Sequence, residues 1–319
     1  MIKIDKKDIN ILSILDMNAR IPISQLTKKT GISRQVAEYR INKLKKERVI
    51  FTTIAVYDQK VAGKNIYRVI FQLYTINNEG INKFTEYLKD NYSVMWFAKI
   101  GGGWDLIVNF LAEDTYKFDK LFMQISNEYS KIIQNYIILQ YINIYDLPKR
   151  HIYEKENNHY FFHEMGDNKI KLDNKDKEII KLLGKDCRLS NLEIGKKVGL
   201  TGNAIKYRIK QYLDNKLLLG FRALINPEKL GYQNFIVFFI INNLSFDDEK
   251  RFINYLKIQK NITFIVKHIG EYRIGIEIET KNVADLEIIM REIRTKFNNV
   301  INDIKIFPVL EESIHNYVP

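Results

Sequence analysis

The feature that most constrains this chain is an internal repeat with a constant offset of 168 residues. The stretch TGISRQVAEYRINKL at 30–44 has a counterpart, VGLTGNAIKYRIKQY, at 198–212. Upstream, IDKKDINILSILDMNARIPISQLTKKTG from Ile4 aligns without a gap with LDNKDKEIIKLLGKDCRLSNLEIGKKVG from Leu172. A register this long predicts a tandem duplication in which each copy folds as one unit.

The excess positive charge lies in two segments, and these contain the repeated motif. The 319-residue chain has 50 Lys and Arg against 38 Asp and Glu, a net charge of +12. Residues 1–50 have 12 basic and 5 acidic side chains, and residues 169–219 have 13 and 6, so each segment is +7. Lysines can simply solubilise helix surfaces, but the rest of the chain is nearly neutral. Two local basic segments indicate contact with phosphate.

Several classes of protein are excluded by the sequence. The single cysteine, Cys187, excludes an internal disulfide framework, and no apolar run reaches membrane-spanning length. The N-terminus lacks the apolar core of a signal peptide. We find no phosphate loop, nucleophile motif or convincing carboxylate pair. We therefore expect a soluble, cytoplasmic, nucleoid-associated protein that is not an enzyme and has no catalytic residues, metal or cofactor.

Each copy begins with a pattern of three short helices. In the first copy, Asp5 can cap a helix, Pro22 suits the first turn of a second helix, and Gly31 makes the next turn. Ser33 is placed to cap a third helix over 34–47. The predicted buried stripe of that helix consists of Val36, Ala37, Ile41 and Leu44.

This pattern is typical of a winged helix-turn-helix domain. Thr201 repeats the cap in the second copy, and VIFTTIAVY and LLLGFRALI predict β-segments of a wing or hairpin arm. An α-helix fits the major groove of DNA, and its N-terminus can bind a phosphate. An ordinary three-helix bundle with a charged face is the alternative, but it does not explain the duplicated charge excess.

The remaining residues of each copy alternate in the order β-α-β-β-α-β, which predicts a ferredoxin-like fold. One sheet face is covered by helices, and the other is apolar and needs a partner. The predicted fold class is α+β, with two tandem units that each combine a winged helix-turn-helix and a ferredoxin-like domain. The predicted domains are a winged helix-turn-helix at 1–58, a ferredoxin-like regulatory or dimerisation domain at 59–146, a polar linker at 147–170, a second winged helix-turn-helix at 171–226 and a second ferredoxin-like domain at 227–319.

These motifs resemble the Lrp/AsnC family of prokaryotic transcription regulators, over nearly the whole chain and twice. The resemblance rests on GISRQVAEYRINKLKKERVI, on GLTGNAIKYRIKQYLDNKLL and on the glycine turns at 102–105 and 270–273. It implies a regulator that binds double-stranded DNA. Family members usually have one unit per chain and pair through their ferredoxin-like domains. It therefore implies a covalent pseudo-dimer, paired sheet against sheet across the flexible linker, with further pairing between chains also open.

The two predicted recognition helices differ, so we expect an asymmetric DNA site with half-sites about one helical turn, or a multiple of it, apart. Gln35 and Asn203 suit adenine and Arg34 suits guanine. Arg40 and Arg208 lie near the buried stripe and either contact DNA or only brace the helices. The predicted DNA-binding residues are Lys28, Lys29, Ser33, Arg34, Gln35, Glu38, Tyr39, Asn42, Lys43, Lys196, Lys197, Thr201, Gly202, Asn203, Lys206, Tyr207 and Lys210, with the lysines expected to contact phosphates.

The resemblance also implies a small-molecule effector, such as an amino acid, near the glycine turns. Asp105 lies where family members place a carboxylate, whereas Arg273 reverses that charge in the second copy. The alternative is that the glycines only make a hairpin. The candidate effector residues are Gly101, Gly102, Asp105, Gly270 and Arg273.

Two further interpretations of the same fold stay open at this point. One is an architectural protein that compacts DNA with low specificity. The other is an enzyme that resembles sirohaem decarboxylases, which combine two such units, and it rests on His268, Tyr272 and Arg273. His159 and His163 are four residues apart, as in some metal sites, but a solvated linker segment without a metal is expected.

Overall fold

The computed structural model describes residues 4–74, 78–91, 93–153, 159–164, 170–241 and 244–314, and it has mixed α and β structure. None of the described helices is both long enough and apolar enough to cross a membrane. The first half consists of α1 (Lys6–Leu15), α2 (Ile23–Thr30), α3 (Arg34–Lys46), β1 (Ile50–Tyr57), β2 (Asn65–Leu73), α4 (Asn78–Asp90), β3 (Val94–Ile100), β4 (Leu106–Ala112), α5 (Thr115–Glu128) and β5 (Ile133–Asp146).

The second half has the same order of helices and strands, after a short additional strand β6 (Phe161–Glu164) and with one 3-10 turn (Glu228–Leu230). It consists of α6 (Asn174–Lys185), α7 (Asn191–Val198), α8 (Gly202–Asp214), β7 (Leu218–Ile225), β8 (Gln233–Ile241), α9 (Phe246–Ile258), β9 (Ile262–Ile269), β10 (Ile274–Thr280), α10 (Val283–Lys296) and β11 (Ile301–Ile314).

The local sequence explains where the first helices of each half begin and end. Asp5 and Asp173 cap α1 and α6 through capping boxes, as the pattern predicted for Asp5. Gly31 and Gly199 end α2 and α7 with φ of 69°, a left-handed conformation that glycine adopts without strain. Pro22 is the residue before α2 and does not lie within its first turn.

Eight strands form one closed sheet, the barrel, in the order β2-β4-β3-β11-β8-β10-β9-β5, with β5 pairing back to β2. The expectation of two separate sheets packed face to face is therefore wrong. The reason is the length of β5 and β11, 14 residues each. Each of them pairs with a strand of its own half and with one of the other half. This pairing covers strand edges that two separate sheets would expose.

The barrel strands are apolar on both faces. On β4, Val108 and Phe110 belong to a core beneath α4 and α5, whereas Ile107 belongs to the core inside the barrel. Because both faces of the strand are buried, the sequence LIVNFLA is an almost continuous apolar run.

The strands β1 and β7 pair antiparallel with each other in a separate two-stranded sheet, the ribbon. They do not form the separate wings or hairpin arms that the sequence predicted. Since one strand follows α3 and the other follows α8, their pairing joins the two helical groups. A single hydrophobic core runs through both groups and includes Leu15, Leu183 and Ala223. We call α1–α3, α6–α8 and the ribbon together the head.

Part of the segment predicted as a polar linker forms a strand and is buried. Its strand β6 pairs with β5, and Phe161 and His163 on it are 3% and 7% exposed. Phe161 packs in a cluster with Met17 and Val56 of the head. The expectation of a solvated, flexible segment is therefore wrong for these residues, because their apolar side chains cover the junction of the head and the barrel.

Candidate nucleic-acid interface

The helices α3 and α8, which follow the glycine turns, begin with hydroxyl caps. Ser33 Oγ accepts a hydrogen bond from the Val36 amide at 3.3 Å, and Thr201 Oγ1 accepts one from the Ala204 amide at 3.2 Å. These caps fix the start of each helix. The positive end of the helix dipole at this start can attract a phosphate.

Most of the predicted DNA-binding side chains are exposed. Tyr39 and Tyr207 are 67% and 62% exposed, and Val36, predicted to be buried, is 37% exposed because it lies at the edge of an inward stripe that starts at Ala37. The exposed predicted residues are Lys28, Lys29, Ser33, Arg34, Gln35, Glu38, Tyr39, Asn42, Lys196, Lys197, Thr201, Asn203, Lys206, Tyr207 and Lys210, whereas Lys43 and Gly202 are partly buried.

The two helices present different chemistry at matching positions. In α3, Arg34 Nε donates to Glu38 Oε1 at 2.8 Å, and both side chains are solvated. In α8 the corresponding positions are Gly202 and Lys206. An exposed pair of this kind stabilises a helix by only about 0.5 kcal/mol, so Arg34 can leave it at little cost. The first helix therefore offers an arginine beside a carboxylate. The second offers Lys206, which has no ion-pair partner among the described residues.

Arg40 and Arg208 brace the head. Arg40 Nη1 donates to Asp8 Oδ1 at 2.7 Å and to both carboxylate oxygens of Asp5 at 2.8 Å. Arg208 makes the equivalent bonds to Asp173, at 2.9 Å, and to Asp176. Hydrogen bonds to these carboxylates raise the pKa of both guanidinium groups. Of the two roles open from the sequence, the structure places both arginines in the bracing role.

Two further arginines, not predicted from the sequence as functional, join the two halves of the head. Arg20 donates to the Leu189 carbonyl oxygen and to Asn191 Oδ1, each at 2.7 Å, and also to the Cys187 carbonyl. Arg188 donates to the Ala19 carbonyl at 2.6 Å. Both arginines occupy matching positions of the repeat, and this coincidence is the sequence signal that could have found them.

Backbone hydrogen bonds also join the two halves at matching positions of the repeat. The Ala19 amide donates to the Phe221 carbonyl, and the Cys187 amide donates to the Thr53 carbonyl, both at 2.9 Å. Phe221 and Thr53 lie in the two strands of the ribbon and are also 168 residues apart. The helices α3 and α8 are thus fixed in one body.

The glycine turns, where an effector was expected, lie against the long strands of the opposite halves. The Gly101 amide donates to the Pro308 carbonyl at 3.0 Å. Gly270 has φ of 132°, and a Cβ there would lie 2.8 Å from the Ile138 carbonyl oxygen, so only glycine fits. Asp105 Oδ2 accepts from the Leu73 amide at 2.7 Å, and Arg273 donates to Glu249 at 3.2 Å.

A shallow groove adjoins the first of these turns. It is formed by the turn itself, including Gly102 and Asp105, and by Tyr74 and Gln134. The turn in the second half carries Arg273 in an ion pair at the equivalent place. The structure therefore leaves room for a ligand beside the first turn. Binding of an effector by these residues stays a prediction.

The histidines considered for other chemistry do not form a common site. His163 is buried in β6, whereas His159 precedes that strand and is exposed. Within the described ranges, no group of three or more His, Cys, Asp or Glu side chains is arranged to hold a metal ion. His268 and Tyr272 are buried against Phe238 inside the barrel.

Two family models match the helical parts of the head. A model described as winged helix-turn-helix DNA-binding matches residues 4–50, and a model described as the AsnC-type helix-turn-helix domain matches residues 172–212. The first match contains α3, and the second contains α8 up to residue 212, so both predicted recognition helices lie in segments matched by these models.

Curated relatives are transcription regulators. The chain is 33% identical to the HTH-type transcriptional regulator FL11 of Pyrococcus furiosus over 115 residues, which are 36% of this chain and 75% of that protein. It is 34% identical to the HTH-type transcriptional regulator LrpB of Bacillus subtilis over 85 residues, 26% of this chain and 57% of that protein. This chain is therefore about twice as long as FL11.

A solved structure that matches the whole chain is described as the siroheme decarboxylase NirDL. It has a TM-score of 0.66 and 12% sequence identity, and the match covers 96% of this chain and 92% of NirDL. At this identity the likeness shows a shared fold and nothing about chemistry.

Proposed function

Because the chain belongs to the Lrp/AsnC family of transcription regulators, we propose that it binds a specific, asymmetric site in double-stranded DNA through α3 and α8. The observation that carries this proposal is that one head holds two exposed recognition helices with different side chains at matching positions. A homodimer of one-unit chains reads two identical half-sites. This chain carries Arg34, which suits guanine, in one helix and Gly202 at the matching position of the other, so it reads two different ones.

The two halves act as a covalent pseudo-dimer in this proposal. The reciprocal bonds of Arg20 and Arg188 support it, because each crosses from one half to the other at matching positions of the repeat. In the barrel, β5 pairs with β9 and β11 pairs with β3, so the last strand of each half pairs with a strand of the other half. Further self-association of whole chains through their ferredoxin-like domains belongs to the same proposal.

The lysines around the recognition helices supply affinity without sequence preference. Lys28 and Lys29 lie in the last turn of α2, and Lys196 and Lys197 lie in the last turn of α7. All four are exposed, and they precede the turns into α3 and α8. Contacts of this kind release counterions from DNA, so binding weakens as salt rises. Gln35, Asn203 and Arg34 supply the sequence preference.

The test is competition between a selected duplex and bulk genomic DNA at two salt concentrations. We expect the preference for the selected duplex to persist at the higher concentration, while binding to bulk DNA falls. The double variant Lys28→Gln, Lys29→Gln should weaken binding to both and lower the salt slope by about one per lysine. Lys250→Gln, an exposed site on α9, is the matched control and should change neither. Absence of binding to any duplex would contradict the proposal.

Architectural DNA compaction is an outcome that the same experiment identifies. A protein of that kind loses its preference for every duplex at the higher salt concentration, because its binding is mostly counterion release. The basic segments alone are compatible with this function. The presence of Arg34, which suits guanine, where the second copy has Gly202 argues against it.

A sirohaem-decarboxylase-like enzyme is a second candidate because NirDL shares the fold over nearly the whole chain. The three residues that suggested it do not meet. His268 and Tyr272 lie inside the barrel, whereas Arg273 is bound to Glu249 on α9. Purified protein mixed with sirohaem should give no saturable, protein-dependent Soret band. Such a band would favour the enzyme.

An amino-acid effector beside the first glycine turn, and location in the cytoplasm with the nucleoid, complete the proposal. The groove at Gly102 and Asp105 supports the effector, although the carboxylate already accepts the Leu73 amide. Measuring the affinity for DNA in the presence of each amino acid would test the effector. We expect the affinity to change with one amino acid only.

A further inference from the structure

A cavity of about 150 Å³ lies between the ribbon and one mouth of the barrel. Every one of the eight barrel strands contributes to its wall, and Ile54, Val56 and Arg222 of the ribbon close it. Its described lining includes no residue of either glycine turn. Mouths of β-barrels are common ligand sites. This cavity is therefore separate from the groove beside the first turn.

The wall of the cavity is acidic although the chain is basic. Four carboxylates line it, and two of them are already compensated: Asp146 accepts from Arg222, and Glu279 accepts from Lys149. Glu277 and Glu312 have no such close hydrogen bond from a cationic side chain among the described residues.

Among the described residues, Glu277 has one ion-pair partner, the Arg68 guanidinium at 3.8 Å, and Glu312 has none. Glu312 Oε1 accepts from Trp96 Nε1 at 2.6 Å. Burial, opposed by Arg68 and assisted by the Glu312 carboxylate, raises the pKa of Glu277 to about 7. The cations that act on these two carboxylates are Arg68, at Glu277, and Lys149, which is already bonded to Glu279. A further cation between Glu277 and Glu312 would be stabilised by both carboxylates.

Two other polar groups point to the same kind of ligand. His163 is 93% buried and lines the cavity, and its Nε2 has no hydrogen-bond partner among the described residues. Burial lowers its pKa to about 4, so the imidazole is neutral at physiological pH. The side-chain oxygen of Asn234, which also lines the cavity, likewise lacks a donor within the part of the chain described. The Asn234 oxygen is an acceptor, and Nε2 of a neutral imidazole accepts in the tautomer that carries its proton on Nδ1. Together with the carboxylates, these groups favour a ligand rich in N–H donors.

The remaining wall fixes the size and the apolar part of the ligand. Ile54, Val56, Ile66 and Met95 supply aliphatic surface, and Trp96 supplies an aromatic ring. A cavity of 150 Å³ holds a molecule of about the bulk of benzene, that is, roughly six heavy atoms. A tetrapyrrole is several times too large for it.

We propose that this cavity binds a small aliphatic diamine, with one ammonium group between Glu277 and Glu312 and its hydrocarbon chain against the apolar wall. Its second amino group would donate to Asn234 and His163. The binding step stands independently of the proposed function. Arg222 also donates to Asp16 of α1's C-terminal end at 2.6 Å, so the cavity wall is bonded directly to the head. An effect of the amine on DNA binding would follow from this link, and that part rests on the proposed function.

The test is calorimetric titration of the full chain, without DNA, with putrescine as the probe. We expect saturable binding to the wild type, and no binding of succinate, which has the same number of carbons and the opposite charge. Glu277→Gln and Glu312→Gln should each weaken putrescine binding by at least about tenfold, since each removes one charged partner of a partly buried cation. Glu311→Gln is the matched control: it is the next residue on β11 and pairs with Lys99 at 2.7 Å, so binding should be unchanged.

Two results would overturn the proposal. One is the absence of saturable heat with the wild type, which means that the cavity holds only water. The other is equal binding by wild type and both glutamine variants, which would place the amine elsewhere. Thermal unfolding with and without putrescine gives a second readout: a variant that is folded but no longer stabilised by putrescine supports the site. Amine binding without DNA binding would refute the proposed function alone.

Discussion

At the scale of single residues, the head separates side chains that hold it together from side chains that face solvent. Arg40 and Arg208 contact carboxylates of α1 and α6, whereas Gln35 and Asn203, on the same helices, are exposed. The charge of an arginine on a recognition helix therefore does not reveal its role. Its position relative to the buried side of the helix, which in α3 consists of Ala37, Ile41 and Leu44, reveals whether it braces the head or faces solvent.

Substitution of the two amides should relax specificity at different places in the DNA site. We expect Gln35→Ala to reduce discrimination at one half-site and Asn203→Ala at the other, each by about 1–3 kcal/mol, because a bidentate contact to adenine is lost. Binding to duplexes with single base changes measures this. Asn302→Ala, at an exposed position on β11, is the control and should leave every preference unchanged. Loss at the same base pairs in both variants would show that the helices do not read separate half-sites.

At the scale of helices and strands, most local structure could be predicted from the sequence. The periodicity and the Ser33 cap gave α3 correctly to within a residue, and Gly31 ends α2 as expected. Pairing between the halves could not be predicted. The strands β1 and β7 look like separate wings because a local pattern does not show which strand is the partner. The alternating pattern of β5 likewise does not show that the strand is shared with β9.

The bracing of α1 against α3 should contribute to stability and not to sequence preference. Arg40→Met leaves the buried Asp8 carboxylate without its guanidinium partner, so we expect about 1.5–3 kcal/mol lower stability. Arg208→Met should behave similarly in the second half. Denaturant unfolding measures this, and Lys83→Met, which breaks an exposed pair with Glu79, should have little effect. A changed base preference with unchanged stability would instead place Arg40 in the DNA contact.

At the scale of the whole molecule, the head and the barrel each combine both halves of the chain. The sequence predicted that the halves pair through their ferredoxin-like domains, but as two sheets packed face to face and not as one closed barrel. It predicted neither the shared core of the head nor the buried strand β6. The single core that contains Leu15 and Leu183 fixes the two recognition helices relative to each other. Residues 159–164 appeared polar and solvated because the cover that Phe161 provides at the junction depends on tertiary packing.

Loosening the contact between the halves should change the tolerated spacing of half-sites. In the double variant Arg20→Met, Arg188→Met, the side-chain bonds across the head are lost while both recognition helices keep their exposed residues. We expect weaker binding to the preferred duplex and a smaller penalty for inserting one base pair between its half-sites. Circular dichroism verifies that the variant is folded. An unchanged penalty would mean that the shared core alone fixes the spacing.

Selection from random duplexes shows whether one chain reads two different half-sites. The matched variant carries Gly202→Arg, Asn203→Gln and Lys206→Glu, which gives α8 the side chains of α3 at these positions. A Cβ at Gly202 lies no closer than 3.6 Å to its neighbours, so the substitution is tolerated sterically. We expect the wild type to select an asymmetric sequence and the variant to select a more palindromic one. A palindrome selected by the wild type, or the same sequence selected by both proteins, would contradict the account.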